Sequence, residues 1–539
     1  MRRLLTLLCL LLALPVLGVL AAWFALDAAA LATLSHQFST VLPGYALQSA
    51  LLTVGVALGV MVLGTLTAAA VTLFDFPGRR LFEWALLLPL AMPAYVLAYA
   101  WTDALQFSGP LQTMLRALTG AQGALWPDVR SLGGAVALFV LVLYPYVYLL
   151  TRTALGERAA QLLEAARLLG AGLRRRTLAI ALPLARPAIT AGVALAVMET
   201  LADYGVGAYF GLTTFSTGIF KAWLVMDDRV AAAQLASVLL IVVGMLLWVE
   251  RGAQKRMRYT TTRRSGGAAE AEPMRLRGAA AAAAITLCAL PVLLGFLLPV
   301  GWLGWMLVQE VRYSDFGLPL DRFAGWAWAS FRLAGIAALL ATALALALGF
   351  ALRPAAGRVQ RGALAPAAGL LSLGYAVPGA VMAVGVLAPV SLLQAAWPSL
   401  PVTAVVTGTV FGLVFAYLAR FSAVALQSVQ AGYSRISPNV DETARLLGTG
   451  RLRLFGRLHL PLLQRSAAAA ALLVFVDVMK ELPATLMLRP FGSDTLAVVA
   501  YNFARDERLG EAALPSLAIV VVGLIPVLLL SRAMRAERG

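Results

Sequence analysis

The stretch "DVMKELPATLML", Asp477 to Leu488, follows the apolar run "AAAAALLVFV" without a break. Asp477, Lys480 and Glu481 thus fall where a membrane-spanning helix ordinarily carries no charge. An earlier stretch, "AVMETLADYGVGAYF", sets Glu199 and Asp203 behind another apolar run. In both, the two carboxylates are four residues apart, which puts them on one helical face. Carboxylate oxygens suit hard cations, and a conduit for such an ion needs weak sites rather than a trap. Two readings stay open. The four acids line a mildly anionic vestibule on a translocation pathway, or they are helix-end residues wetted by water at the outer surface. Lys480 has Ala202 as its counterpart and lies within reach of either Asp477 or Glu481. No stable metal site is expected.

Other reactive chemistry is sparse. Cys9 and Cys288 sit inside apolar runs, and His36 and His459 are far apart, so neither a disulfide framework nor a histidine metal cluster is predicted. The three lysines, Lys221, Lys255 and Lys480, neither follow a glycine nor precede Ser or Thr. A phosphate-binding P-loop is therefore excluded, and any ATP would have to be spent elsewhere.

The elements that hold these residues are set by hydropathy. The 539 residues are 61% hydrophobic and 13% charged, whereas a soluble domain is about half apolar and a quarter charged. This predicts an all-α polytopic protein of a bacterial cytoplasmic membrane. Twelve spans are predicted, near 4–26, 45–74, 84–101, 132–150, 179–202, 232–250, 279–308, 332–352, 363–392, 402–419, 466–487 and 514–531. With the N-terminus inside, roughly three-quarters of the 43 lysines and arginines fall in inside segments, so both termini are expected in the cytoplasm. The net charge of +17 is read as this flanking bias, not as a nucleic-acid surface. The first apolar stretch is long for a cleaved signal and is expected to remain as the first helix.

A basic, polar stretch at 251–278 reads as a cytoplasmic linker between a first half, 1–250, and a second, 279–539, of six spans each. The halves share a pattern. "EAARLLGAGLRRRTLAIALP" begins at Glu164 and "ETARLLGTGRLRLFGRLHLP" at Glu442, with a constant offset of 278. Both lie in long inside loops. In the second copy Ser437 is placed to cap a helix beginning at Pro438, with Asp441 and Glu442 in its first turn. Gly170 and Gly448 are placed to end or bend the short helices. The same offset carries Asp477 onto Glu199 and Glu481 onto Asp203.

This duplicated pattern resembles the EAA loop of binding-protein-dependent ABC importer permeases. Glu164, Ala165, Ala166, Gly170, Ile180, Leu182 and Pro183 fit it fully; the second copy departs mildly at Thr443 and Leu458. The segments around "METLADYGVGAYFG" and "KELPATLMLRPFGSDTLA" look most like fused two-half ferric-iron permeases. The resemblance implies two pseudo-symmetric six-helix halves of the type I importer kind. Glu164, Ala165, Ala166, Arg167 and Gly170, with Glu442, Thr443, Ala444, Arg445 and Gly448, would couple the chain to two copies of a separate ATPase. That partner would hold ATP and magnesium, and a periplasmic binding protein would deliver substrate. Permeases for thiamine, phosphonate, sulfate or polyamines share the loop. A gradient-driven secondary transporter also has parallel repeats and buried acids, but it gives no reason for the loop to occur twice.

Overall fold

A computed structural model describes residues 2–21, 28–156, 166, 168–172, 175–259, 273–313, 318–353 and 362–536. Among the described residues nearly everything regular is helical. The exception is a pair of two-residue strands, Phe74–Asp75 and Met274–Arg275, joined in parallel with Phe74 opposite Met274. Helices dominate because a chain in hydrocarbon must satisfy its backbone polar groups internally. Among the described residues eleven helices are long and apolar enough to cross a membrane, or twelve if a pair bent by 91°, Arg79–Ala91 with Ala94–Thr119, counts as one span.

The long helices are apolar on both faces. Along Leu42–Leu73, Ser49, Leu52, Val56 and Val60 are buried, while Leu47, Leu51, Val54 and Leu58 stand exposed on the other side. In water such a face would be a liability; in lipid it is the solvated side. Helix contacts rely on small residues, since lipid gives apolar side chains no drive to associate. A Cβ at Gly59 would come within 2.3 Å of Val140 on the Leu132–Ala154 helix. One at Gly385 would come within 2.2 Å of the Pro15 carbonyl.

The chain forms two compact units that do not follow the halves of the sequence. One comprises 1–38, 218–240 and 319–499; the other comprises 39–217, 241–318 and 500–539. In the first unit the helix Arg2–Ala21 packs on Leu364–Leu371, Gly379–Ala396 and Phe411–Ser434. In the second, Leu298–Tyr313 packs on Leu509–Ala536 and on Ala94–Leu105. Each unit thus takes its core from one sequence repeat and its flanking spans largely from the other.

Several predicted spans are broken. The span near 84–101 is bent at Pro93, and that near 363–392 divides into Leu364–Leu371, a tight turn at Gly374–Ala376, and Gly379–Ala396 behind Pro378. Both breaks precede a proline, which cannot continue the hydrogen-bond ladder of the preceding turn. The span near 402–419 is instead a short helix, Val402–Gly408, followed by the long Phe411–Ser434. The span near 466–487 runs from Leu460 only to Lys480. Residues 251–259, read as linker, prolong the helix Arg229–Tyr259.

Candidate functional site

Each copy of the duplicated loop is described within its own unit. In the second copy the helix Pro438–Leu446 begins as the sequence suggests, with Asn439 N–H donating to Ser437 Oγ at 3.3 Å. Glu442 and Thr443 are exposed, and Ala444 is half-buried. Arg445 is helical, but its side chain lies outside the described residues. Gly448 takes φ +74°, and Thr449 N–H reaches back to the Ala444 carbonyl at 3.0 Å. This is the six-to-one bond of a Schellman stop, which needs a left-handed residue at the glycine.

The first copy ends the same way. Gly170 takes φ +77°, and Ala171 N–H donates to the Ala166 carbonyl at 2.9 Å. Ala166 is buried; Glu164, Ala165 and Arg167 lie outside the described residues. Beside each glycine stands a leucine pair with little cover. Leu168 and Leu169 are 84% and 87% exposed, and Leu446 and Leu447 are 88% and 79% exposed. Beyond each stop the helix opens into a π turn, Arg176–Ala181 in one copy and Phe455–His459 in the other. Such turns are rare and collect at functional positions.

The helices that follow, Leu182–Ala202 and Leu460–Lys480, end at the matched acids. Asp203 accepts the Val206 N–H at 2.8 Å and so starts the short helix Gly205–Tyr209. Glu481 accepts the Ala484 and Thr485 N–H groups, both at 3.0 Å, and starts Pro483–Leu488. Val206 and Ala484 again differ by 278. The acids thus satisfy backbone donors at a helix start, where a carboxylate is also favoured by the helix dipole.

Their surroundings differ. Glu481 is 2% exposed in its side chain and binds Arg420 Nη1 at 2.9 Å. Thr485 Oγ1 lies 2.7 Å from it and 2.7 Å from Tyr417 Oη. Of the two partners open to Lys480, the structure takes Asp477, at 3.6 Å; both side chains are about a quarter exposed. Glu199 and Asp203 are half-buried. In the first half Val142 stands at the position matching Arg420, and Ala202 at that matching Lys480.

Arg420 is the main residue missed by sequence reading, which put it just past a span ending at 419. It lies inside the apolar helix Phe411–Ser434, and a charge within such a run is itself a signal. Two buried serines were also missed. Ser49 Oγ accepts the Phe215 N–H at 3.1 Å, and Ser330 Oγ accepts the Leu496 N–H at 2.8 Å. Both members of this matched staple have an offset of 281 and not 278: the second half has three extra residues between the acid and Leu496, and three fewer between Ser330 and Glu442.

Residues 55–258 match the family described as binding-protein-dependent transport system inner membrane component. The chain is 26% identical over 498 residues to an Fe(3+)-transport system permease protein FbpB of Haemophilus influenzae, covering 89% of this chain and 88% of that one. It is 29% identical over 200 residues to the sulfate transport system permease protein CysT of Salmonella typhimurium, covering 36% of this chain and 70% of that one. It is also 29% identical over 191 residues to the molybdenum transport system permease protein ModB of Escherichia coli K12, covering 34% and 81%. Residues 55–258 thus carry the domain of that family, and the helical, membrane-spanning architecture and paired loops of the chain are those of an ABC importer permease.

Proposed function

We propose that this chain carries ferric iron across the cytoplasmic membrane, driven by two copies of a separate ATPase docked on its two loops. The observation that carries the coupling role is the matched pair of exposed leucines beside Gly170 and Gly448. An apolar side chain left in water forgoes about 1.5–3 kcal/mol of burial. Four such side chains on two identical helix stops are suited to being covered by two copies of one partner. ATP and magnesium would reside in that partner. Nucleotide-driven closure would pull on Ala166–Gly170 and Ala444–Gly448, and the π turns would pass the motion to Leu182–Ala202 and Leu460–Lys480.

The reading of ferric iron is supported by likeness to an Fe(3+) permease along nearly the whole chain, where likeness to sulfate and molybdenum permeases covers about a third. Glu199, Asp203 and Asp477 agree with a hard cation as cargo. A periplasmic binding protein would deliver it. The basic flanks support a cytoplasmic position for both termini. An oxyanion importer is the second reading, favoured by the sulfate and molybdenum relatives.

The test is reconstitution of the chain with its ATPase in vesicles. Binding proteins loaded with ferric iron, sulfate or molybdate are added in turn, and ATP hydrolysis is followed. Stimulation by the ferric form alone supports the proposal. Stimulation by an oxyanion form overturns the substrate, and ATP-independent uptake overturns the coupling.

A further inference from the structure

The two loops match in sequence and in their glycine stops, yet Tyr433, Asp441 and His459 behind the second have no polar counterpart at the matching positions of the first, Leu155, Leu163 and Ala181. Behind the second loop lies a buried polar chain. His459, fully buried in the π turn, holds Asp441 Oδ1 through Nε2 at 2.8 Å and faces Tyr433 Oη through Nδ1 at 3.3 Å. Asp441, also buried, pairs through its other oxygen with Arg353 Nε. Arg353 Nη2 then donates to the carbonyls of Ile436 and Ser437, at 2.9 and 3.0 Å. The rings of Phe350 and Tyr433 stack edge-on against His459 at 5.3 and 5.4 Å. Four side chains thereby tie the first turn of Pro438–Leu446 to the ends of Leu320–Leu352 and Phe411–Ser434 and to the π turn.

At the offset of 278, Tyr433 corresponds to Leu155 and His459 to Ala181. In the first copy these two, with Ala185, make a small apolar cluster against Ala69, Leu73, Ile180, Leu184 and Ile189. Apolar contacts are non-directional and re-pack at modest cost, whereas a buried hydrogen-bonded chain has one geometry and loses heavily when a member is left unpaired.

We propose that Asp441 and His459 are positioning residues that lock the second coupling helix to three membrane helices, so that this loop transmits as a rigid lever. This rests on the coupling role proposed above.

The test uses the full chain in lipid nanodiscs, with the buried Cys9 and Cys288 replaced by alanine. Single nitroxide labels are placed at L168C and L446C, whose parent leucines have nearly equal exposure, so differences in label motion report the anchorage. H459L should free the label at 446 and leave the label at 168 unchanged, whereas H459Q, which keeps a donor towards Asp441, should restore most of the restraint. In vesicles with the ATPase and a ferric-loaded binding protein, H459L should lower iron delivered per ATP about fivefold or more, the scale of a lost buried pair. L155A should have a smaller effect. Label motion at 446 unchanged by H459L, or delivery per ATP unchanged in H459L, overturns the proposal. Failure of the parent chain to bind any ATPase is a different result, which refutes the coupling role itself.

Discussion

Arg420 Nη1 sits 2.9 Å from Glu481 Oε1, with the two side chains 12% and 2% exposed. The carboxylate is also held by two backbone N–H groups and by Thr485. Removing the cation alone leaves a buried charge. Arg420→Met is therefore expected to destabilise the folded chain by about 3–5 kcal/mol. The same change made in an E481Q background should cost much less, because no charge is then stranded. Denaturant unfolding in detergent across the four-member cycle measures the coupling. Additive single effects would mean the pair is not an energetic unit.

The helix stops give a second expectation. At φ +77° and +74°, Gly170 and Gly448 adopt a conformation that costs a side-chain-bearing residue about 1–2 kcal/mol, although a Cβ at either would meet nothing within 4 Å. Gly170→Val and Gly448→Val should therefore leave membrane insertion intact while distorting the leucine pair beside them. ATP hydrolysis should persist and uptake fall. Gly450→Val is the control, since Gly450 has φ −66° and open space around it. It should transport normally.

Much of this was legible in the sequence, and what was not has physical causes. Hydropathy located the spans because the membrane imposes one local rule on every residue. The stops at Gly170 and Gly448 were readable because helix termination is local chemistry. The breaks before Pro93 and Pro378 were hidden by apolar runs that continue across them. The serine staples escaped because both of their members lie off the constant 278 offset, through a three-residue difference before the loop and another after the acid. The assignment of 1–38 to a unit built on 319–499 is long-range packing, which no local pattern records. Glu481 was recognised as an unusual charge, but its role as a helix cap required knowing that the helix ends at Lys480.

That distinction changes how the acids are tested. Neutralising Glu481 removes a cap and a buried pair, so lost transport in that variant says little about an ion path. Glu199 and Asp477 are only partly buried. If the cargo is the proposed ferric iron, E199Q with D477N is expected to slow its delivery roughly fivefold, by weakening a local attractive field. Detergent stability should stay within about 0.5 kcal/mol of the parent. Unchanged uptake would remove these acids from the pathway.

A pH expectation follows from Arg130 and Glu507. The guanidinium binds both carboxylate oxygens, at 2.7 and 2.9 Å, and donates to Tyr209 Oη at 3.0 Å. These bonds hold the Glu507 carboxyl below the ordinary glutamate range. A depressed folded-state value means the stabilisation is complete above the unfolded value, about 4.3, and is lost as pH falls through the folded one. E507Q should therefore be less stable than the parent at pH 7, with the gap closing on acidification below about pH 4.5. The effect should be modest, because the carboxylate is largely exposed and screened. Thermal unfolding from pH 3 to pH 7 reads it; a constant gap would rule out ionisation as the source.

The serine staples offer a comparison between the halves. Ser49 and Ser330 each supply the side-chain acceptor for a buried backbone N–H, of Phe215 and Leu496 respectively. Alanine fits either site sterically but strands that donor away from water. A buried unsatisfied donor costs about 1–3 kcal/mol, so S49A and S330A should each destabilise by that amount, and similarly to one another. S372A is a suitable control: Ser372 Oγ donates back to the Ala368 carbonyl one turn earlier in its own helix, an arrangement that contributes little. If both staple variants unfold like S372A, the matched bonds are incidental. If only one is costly, the two halves have diverged in how they hold the segment beyond the acid.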